Sequence, residues 1–303
     1  MRIGIDLGGH TLTAALVSDA RAGAPPEIAR METRTTPEGR GVVDIMDAMA
    51  DIAARLAEGA DVSFIGVAIP GMLDSDRRHS RRLPNFPAEW NDLDVPGALG
   101  EALAARHMAA GINIENDANC YALGEGRAGE AIGAENFVVF TMGTGIGCGI
   151  VTGGRLLTGA HGMAGEGGHL VVGGSAPCGC GGMGHSETLA AADGTSARAL
   201  SKGLPADFSE LWAMRENPDA GEVIETTLDA MARAIASVCH MLDPEMVIIG
   251  GGMSRAAGIK EALRERAIPY LSRPFKETLD LRISRLGNVA ALYGAAGISL
   301  INP

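Results

Sequence analysis

Twice along the chain, a short apolar strand runs into a glycine turn and comes back as a second strand. The first instance is Ile3 to Leu7, the turn Gly8-Gly9, and Leu12 to Val17. The second is Phe137 to Met142, the turn Gly143 to Gly149, and a strand from Ile150 onward. Each is followed by helix and buried-strand signals, which predicts an α/β fold. After the first, Val42, Ile45, Met49, Ile52 and Leu56 recur at three- and four-residue steps, the period of a helix with one buried face. Val62 to Ile69 then reads as a buried strand, 96–108 as a helix, and Gly111 to Ile114 as a short strand. After the second come helices over 186–202, 221–242 and 256–266, a buried strand at Met246 to Ile249, and a helical stretch Val289 to Leu300. The repetition reads as an internal duplication, interrupted by a loop-rich insertion at 159–187.

Composition narrows the partners. A formal net charge of −12 argues against a nucleic-acid duplex or an anionic membrane. No apolar run reaches the roughly 20 residues that span a bilayer. The strand-like run Arg2 to Leu7 at the start leaves no signal peptide to expect. Five cysteines, two of them in Cys178-Gly-Cys180, point to metal binding or free thiols in a reducing cytoplasm.

The 43 glycines cluster in a few loops, and three of these have the form of a phosphate cradle. Backbone N–H groups reach phosphate oxygens where no side chain intervenes. The three are Asp6-Leu-Gly8-Gly9-His10-Thr11, Gly143-Thr144-Gly145-Ile-Gly147, and Gly250-Gly251-Gly252. Any one alone serves equally as a plain strand end. No Gly-x-Gly-x-x-Gly follows the first strand with an acidic residue about 20 positions on, which argues against a dinucleotide fold. Asp117, in Glu115-Asn116-Asp117-Ala118, is either the N-cap of a helix or a general base for phosphoryl transfer. His169, Cys178, Cys180 and His185 place four ligands in 17 residues with glycine spacers, a set suited to tetrahedral zinc. Arg77, Arg78, Arg81 and Arg82 read as a solvated basic loop, with attraction of an anionic nucleotide as the alternative.

Taken together, Asp6-x-Gly8-Gly9, Glu-Asn-Asp-Ala at 115–118, Gly-Thr-Gly-Ile-Gly at 143–147, Gly165-Glu166-x-Gly168-His169, Cys178-Gly-Cys180-Gly with Glu187, and Gly250 to Gly252 resemble the ROK sugar kinases. The resemblance implies Asp117 as the base on the sugar hydroxyl and Asn116, Asn85, Glu166, His169 and Glu187 as sugar ligands. It implies ATP phosphates on Gly8, Gly9 and 143–147, the nucleoside near Gly250 to Gly252, magnesium organised by Asp6, and a structural zinc. His169 would ligate zinc through one ring nitrogen and offer the other to the sugar. The chain departs from the family at His10, where threonine is usual and Thr11 stands next to it. It departs also at Cys148 for glycine, Gly167 for an apolar residue, and His185 for the fourth cysteine.

The expected fold is α/β, two RNase H-like domains of the actin and Hsp70 type with the active site in the cleft. One domain would comprise 1–116 plus 289–303, the other 117–288 with the zinc loop. The expected activity is ATP-dependent phosphorylation of a hexose at its 6-hydroxyl. Ser-Glu-Thr-Leu-Ala around Glu187 favours glucose; N-acetylglucosamine, N-acetylmannosamine, mannose, allose and fructose are the alternatives. A homodimer in the cytoplasm is implied. The same family contains sugar-responsive transcriptional regulators with an N-terminal DNA-binding module, for which the residues ahead of Asp6 leave no room. An actin- or Hsp70-like ATPase would have no use for the zinc loop.

Overall fold

The computed structural model describes residues 1–19 and 24–298, so the end of the predicted helix Val289 to Leu300 lies outside the described residues. The chain divides into two compact units. One is Met1–Gly133 with Arg155–Ala164 and the segment from Asn288; the other is Ala134–Gly154 with Gly165–Gly287.

The first unit is built on strands β1 (Arg2–Leu7), β2 (Thr11–Val17), β3 (Ile28–Thr35), β4 (Phe64–Ile69) and β5 (Gly111–Asn116), in the order β3-β2-β1-β4-β5. β1 runs antiparallel to β2 and parallel to β4, and β4 runs parallel to β5. Helix α1 (Val42–Ala57) buries Ile45, Met49, Ile52 and Leu56 against this sheet, the face that the spacing predicts. Helix α2 (Val95–Ala104) adds Leu99 and Leu103 to the same core, and Asp94 caps its start by accepting from the Gly97 amide at 3.0 Å.

The second unit repeats the plan with β6 (Phe137–Met142), β7 (Ile146–Thr152), β8 (Met246–Gly250) and β9 (Leu281–Ile283), in the order β7-β6-β8-β9. An antiparallel hairpin is again followed by two parallel pairings. This repeated layout is the α/β, RNase H-like architecture of the actin and Hsp70 ATPases.

In the first unit, helix α3 (Asp117–Ala128) and the C-terminal helix Ala290–Ala295 pack backbone to backbone. A Cβ on Gly124 would run into the Ala290 carbonyl, and one on Gly294 into the Cys120 carbonyl. The same C-terminal helix presses its Leu292 carbonyl on Gly4 of β1 and its Ala295 carbonyl on Gly66 of β4. This docking draws α3 into the first unit and moves the boundary from 116 to 133.

Four elements differ from the sequence expectation, the first being β7, which begins at Ile146 rather than Ile150 because its ladder to β6 already pairs Ile146 with Met142. Strand β3 was not expected, because its sequence IARMETRT is charged and mostly exposed. The helix expected over 186–202 is two, Ser186–Ala190 and Ala192–Ser201, broken at an extended Ala191. Arg198 takes the Leu189 carbonyl at 2.6 Å, an acceptor that a continuous helix would use itself. The long helix begins at Pro218 rather than 221, because the Asn217 side chain caps the amides of Asp219 and Ala220 with proline in the first position.

Gly66→Ala should lower unfolding stability by at least about 1–3 kcal/mol, since its methyl has no space against the Ala295 carbonyl. Gly100→Ala, in α2 with only Ile112 Cδ1 nearby at 3.7 Å, should be neutral or mildly stabilising. Urea denaturation compares the two; equal midpoints would contradict the backbone docking.

Candidate active site and metal centre

Asp6 near the end of β1 and Asp117 at the start of α3 form the acidic pair of the first unit. Burial, and then the charge of Asp117, push Asp6 up to about 7. Two carboxylates in such a setting resist ionising together, and a divalent cation relieves the repulsion. The choice between cap and base for Asp117 is narrowed by its neighbour. Asn116 is the N-cap of α3, its Oδ1 accepting from the Asn119 amide at 3.1 Å. Its Nδ2 donates to the Gly71 carbonyl at 3.1 Å.

Beneath this turn lies a polar group that the sequence reading missed. Glu115 Oε1 accepts from the Asn116 amide at 2.8 Å and from Asn119 Nδ2 at 3.0 Å. Its Oε2 accepts from Arg77 Nε at 2.9 Å, with side chains 11% and 1% exposed for Arg77 and Glu115. Arg77 is therefore not part of a solvated loop. Arg78 and Arg81 are also paired, with Asp94 at 2.6 Å and Asp92 at 2.7 Å, and His79–Arg82 is a strand. Three of the four arginines of the run are thus paired, and Arg82 is exposed. The acidic partners lie up to 38 residues away, beyond any local pattern.

The first glycine turn closes with the Gly8 amide donating to the Thr11 carbonyl at 2.8 Å. Thr36 Oγ1 holds the Gly8 carbonyl at 2.7 Å, and Arg40 Nε holds that of Gly9 at 3.0 Å. The side chains of His10 and Thr11 are exposed. Asn85 sits in a left-handed backbone conformation, φ 64°, and its carbonyl accepts from Arg40 Nη1 at 2.6 Å.

In the second unit, the turn after β6 closes with the Gly143 amide on the Gly145 carbonyl at 3.0 Å, leaving Thr144 exposed at its tip. Glu187 reaches this turn. Its Oε2 accepts from the Ile146 amide at 2.9 Å and lies 2.6 Å from where a Gly145 Cβ would be. Gly145 is glycine because Glu187 occupies the space. Gly147 lies on β7, and Gly250 ends β8. Gly251, at φ 85°, passes over the Met142 carbonyl with no room for a side chain, while Gly252 faces open space. Glu166 is raised by desolvation, partly offset by His169, and raised further by Glu187, which places the three expected sugar ligands of this unit together. Ser186 Oγ lies 2.9 Å from both the Gly167 and the Gly168 carbonyl and shares its one proton between them, fastening the Glu166 segment to the helix that carries Glu187.

The ligand atoms of His169, Cys178, Cys180 and His185 all lie within 4.8 Å of one another. Cys180 Sγ and His185 Nδ1 are 3.3 Å apart. His169 directs Nε2 toward Glu166 at 3.7 Å, whereas its Nδ1 is buried without a partner among the described residues. Two sulfurs and two imidazoles within that reach, one ring with a buried partnerless nitrogen, match the donor set of a tetrahedral zinc. Desolvation opposes ionisation of Cys178, but the Cys180 amide, His185, the Cys180 thiol and Thr188 outweigh it and hold the thiol below its ordinary value. A ligating cysteine must be a thiolate, so this shift favours metal.

The family model described as "ROK family" matches residues 2–300. The chain belongs to the ROK family. It is 34% identical over 316 residues to a glucokinase of Thermotoga maritima, covering 98% of this chain and 96% of that one. A ROK hexokinase from Thermus thermophilus superposes with a TM-score of 0.83 at 34% identity, covering 97% and 96% of the two chains. A ROK glucokinase from Streptomyces griseus, solved with glucose and AMPPNP, superposes at 0.81 with 25% identity and 98% coverage of each. Among the described residues of this ROK chain, no helix is long and apolar enough to cross a membrane.

The Asp6 carboxyl has a consequence for stability. Its folded pKa, about 7, lies above the ordinary 3.8, so the fold favours the neutral acid. The stability it contributes is full below about pH 4 and is lost as pH rises through 7. In magnesium-free buffer, Asp6→Asn should therefore melt at least about 2 °C above the parent at pH 8, with the gain vanishing near pH 4. Thermal melts across pH test this; a gain that grows toward acid would contradict it.

Proposed function

We propose that this ATP-dependent sugar kinase takes glucose and transfers the γ-phosphoryl group of ATP to the 6-hydroxyl. The observation that carries the reading is the Asp6–Asp117 pair at a helix start that Asn116 caps, with one Asp117 oxygen on the Ala118 amide at 2.8 Å. Asp117 accepts the hydroxyl proton as the new O–P bond forms. Asp6 organises magnesium, which supplies charge neutralisation on the phosphates. Asn85 and Asn116 in the first unit, and Glu166, His169 and Glu187 in the second, hold the sugar hydroxyls. The amides of Gly8, Gly9 and of 143–147 hold phosphate oxygens, with His10 or Thr11 adding a side-chain donor, and Gly250 to Gly252 lie by the nucleoside. Glucose is favoured over other hexoses by the glucokinase names of similar proteins and by Ser-Glu-Thr-Leu-Ala around Glu187.

A structural zinc on His169, Cys178, Cys180 and His185 fits the buried, partnerless Nδ1 of His169. It would fix that ring so that Nε2 faces the sugar beside Glu166, an outer role for metal that involves no chemistry of its own. A homodimer is the expected assembly, and a reducing cytoplasm the expected location; the five cysteines form no disulfide.

Asp117→Asn should lower the turnover number at least about 10²-fold in a coupled ADP-release assay, while glucose affinity stays within a few-fold. Near-normal turnover would overturn the base assignment. Metal analysis should find about one zinc per chain. Cys178→Ser should lose the metal and raise the Michaelis constant for sugar above that for ATP; a fully active, zinc-free protein would contradict the site.

A further inference from the structure

Arg40 lies in the first unit, in the turn that leads into α1, and the proposed roles leave it unused. Its backbone is left-handed, φ 54°, a conformation that a non-glycine residue holds only where its surroundings impose it. The imposing contact comes from Trp90, fully buried, whose Nε1 donates to the Arg40 carbonyl at 2.9 Å. The Phe86 ring centroid lies 5.8 Å from the guanidinium carbon. The side chain is half-buried and aimed by two backbone acceptors, the carbonyl of Gly9 at 3.0 Å from Nε and that of Asn85 at 2.6 Å from Nη1.

A guanidinium carries five N–H donors. The two bonds to Gly9 and Asn85 leave three, and no carboxylate pairs with Arg40 among the described residues. Arg77, Arg78 and Arg81 of the same unit, by contrast, each have a carboxylate partner. Carbonyl dipoles orient the fork without neutralising it. A fixed cation with open donors thus spans a glycine of the first phosphate turn and the asparagine expected at the sugar. Nη2, which neither of those two bonds engages, lies 4.0 Å from the place of a Gly9 Cβ.

We propose that Arg40 binds the phosphoryl group under transfer, on ATP before reaction and on the sugar 6-phosphate after it. The assignment rests on the proposed function, which puts phosphate at Gly9 and sugar at Asn85. In the step itself, the 6-oxygen bonds to the γ-phosphorus, the bond from that phosphorus to the β,γ-bridging oxygen breaks, and ADP leaves with the electron pair. The hydroxyl proton goes to Asp117. Arg40 exchanges no proton; its planar fork meets the charge on the non-bridging oxygens, where arginine outperforms lysine.

The test separates phosphate binding from a purely structural strap. Arg40→Gln keeps an amide donor for one carbonyl and removes the charge. Calorimetry should find glucose affinity within about 3-fold of the parent and glucose 6-phosphate affinity at least 10-fold weaker, with turnover reduced at least about 10²-fold. Arg40→Lys should recover part of the 6-phosphate affinity. Equal weakening of both ligands, unchanged 6-phosphate binding, or a lysine variant as poor as glutamine would each overturn the assignment. Should the variants fail to fold, the unaltered protein still decides. Labelling of Arg40 by phenylglyoxal, read by mass spectrometry, should be slowed by glucose 6-phosphate and not by glucose; equal labelling overturns the proposal. A parent protein that binds neither ligand would defeat the glucose reading itself. One that binds and phosphorylates glucose while Arg40 proves indifferent defeats this inference alone.

Discussion

The C-terminal helix meets β1, β4 and α3 through backbone atoms, and the placing of the acidic pair depends on that contact. Carbonyls of Leu292 and Ala295 rest on Gly4 and Gly66, Gly124 rests on the Ala290 carbonyl, and Gly294 on that of Cys120. Side chains adjust by rotating, whereas backbones pressed together do not, so such a junction fixes distances tightly. β1 carries Asp6 and α3 begins at Asp117. The spacing of the two carboxylates, and the part of the Asp6 shift that Asp117 adds to burial, are thus set by a helix more than 160 residues away along the chain.

Around that frame, carboxylates tie the candidate site segments to their neighbours. Glu115 ties the start of α3 to Asn119 and Arg77 at the base of the turn that carries Asp117. In the second unit, Glu187 has one oxygen on the Ile146 amide of the glycine turn while its charge is felt by Glu166. One carboxylate therefore connects the turn expected to hold phosphate with the group expected to hold sugar. Ser186 and the four-ligand loop fasten the same segment from its other sides.

Features confined to short stretches were legible in the sequence. The paired hairpins, the buried face of α1 and the cluster of His169, Cys178, Cys180 and His185 each follow from spacing within about 20 residues. Long-range partners were not. Nothing local to Arg77 announces Glu115, and nothing local to Arg40 announces Gly9, Asn85 and Trp90. Strand β3 escaped because pairing with β2, rather than an apolar face, makes it a strand. Gly145 and Gly251 resembled phosphate-turn glycines alike, yet the first gives way to a carboxylate and the second to a carbonyl. Composition alone does not distinguish these reasons.

In the proposed reaction, Asp117 takes the proton of a hexose 6-hydroxyl, so the γ-phosphoryl group of ATP goes to the sugar rather than to water. Phosphorus-31 NMR of the protein with ATP, magnesium and glucose observes the product directly. The spectrum should show ADP together with one phosphomonoester whose phosphorus couples to the two protons on C6. Inorganic phosphate as the sole new signal, or an anomeric phosphate coupled to the single proton on C1, would contradict the proposed reaction.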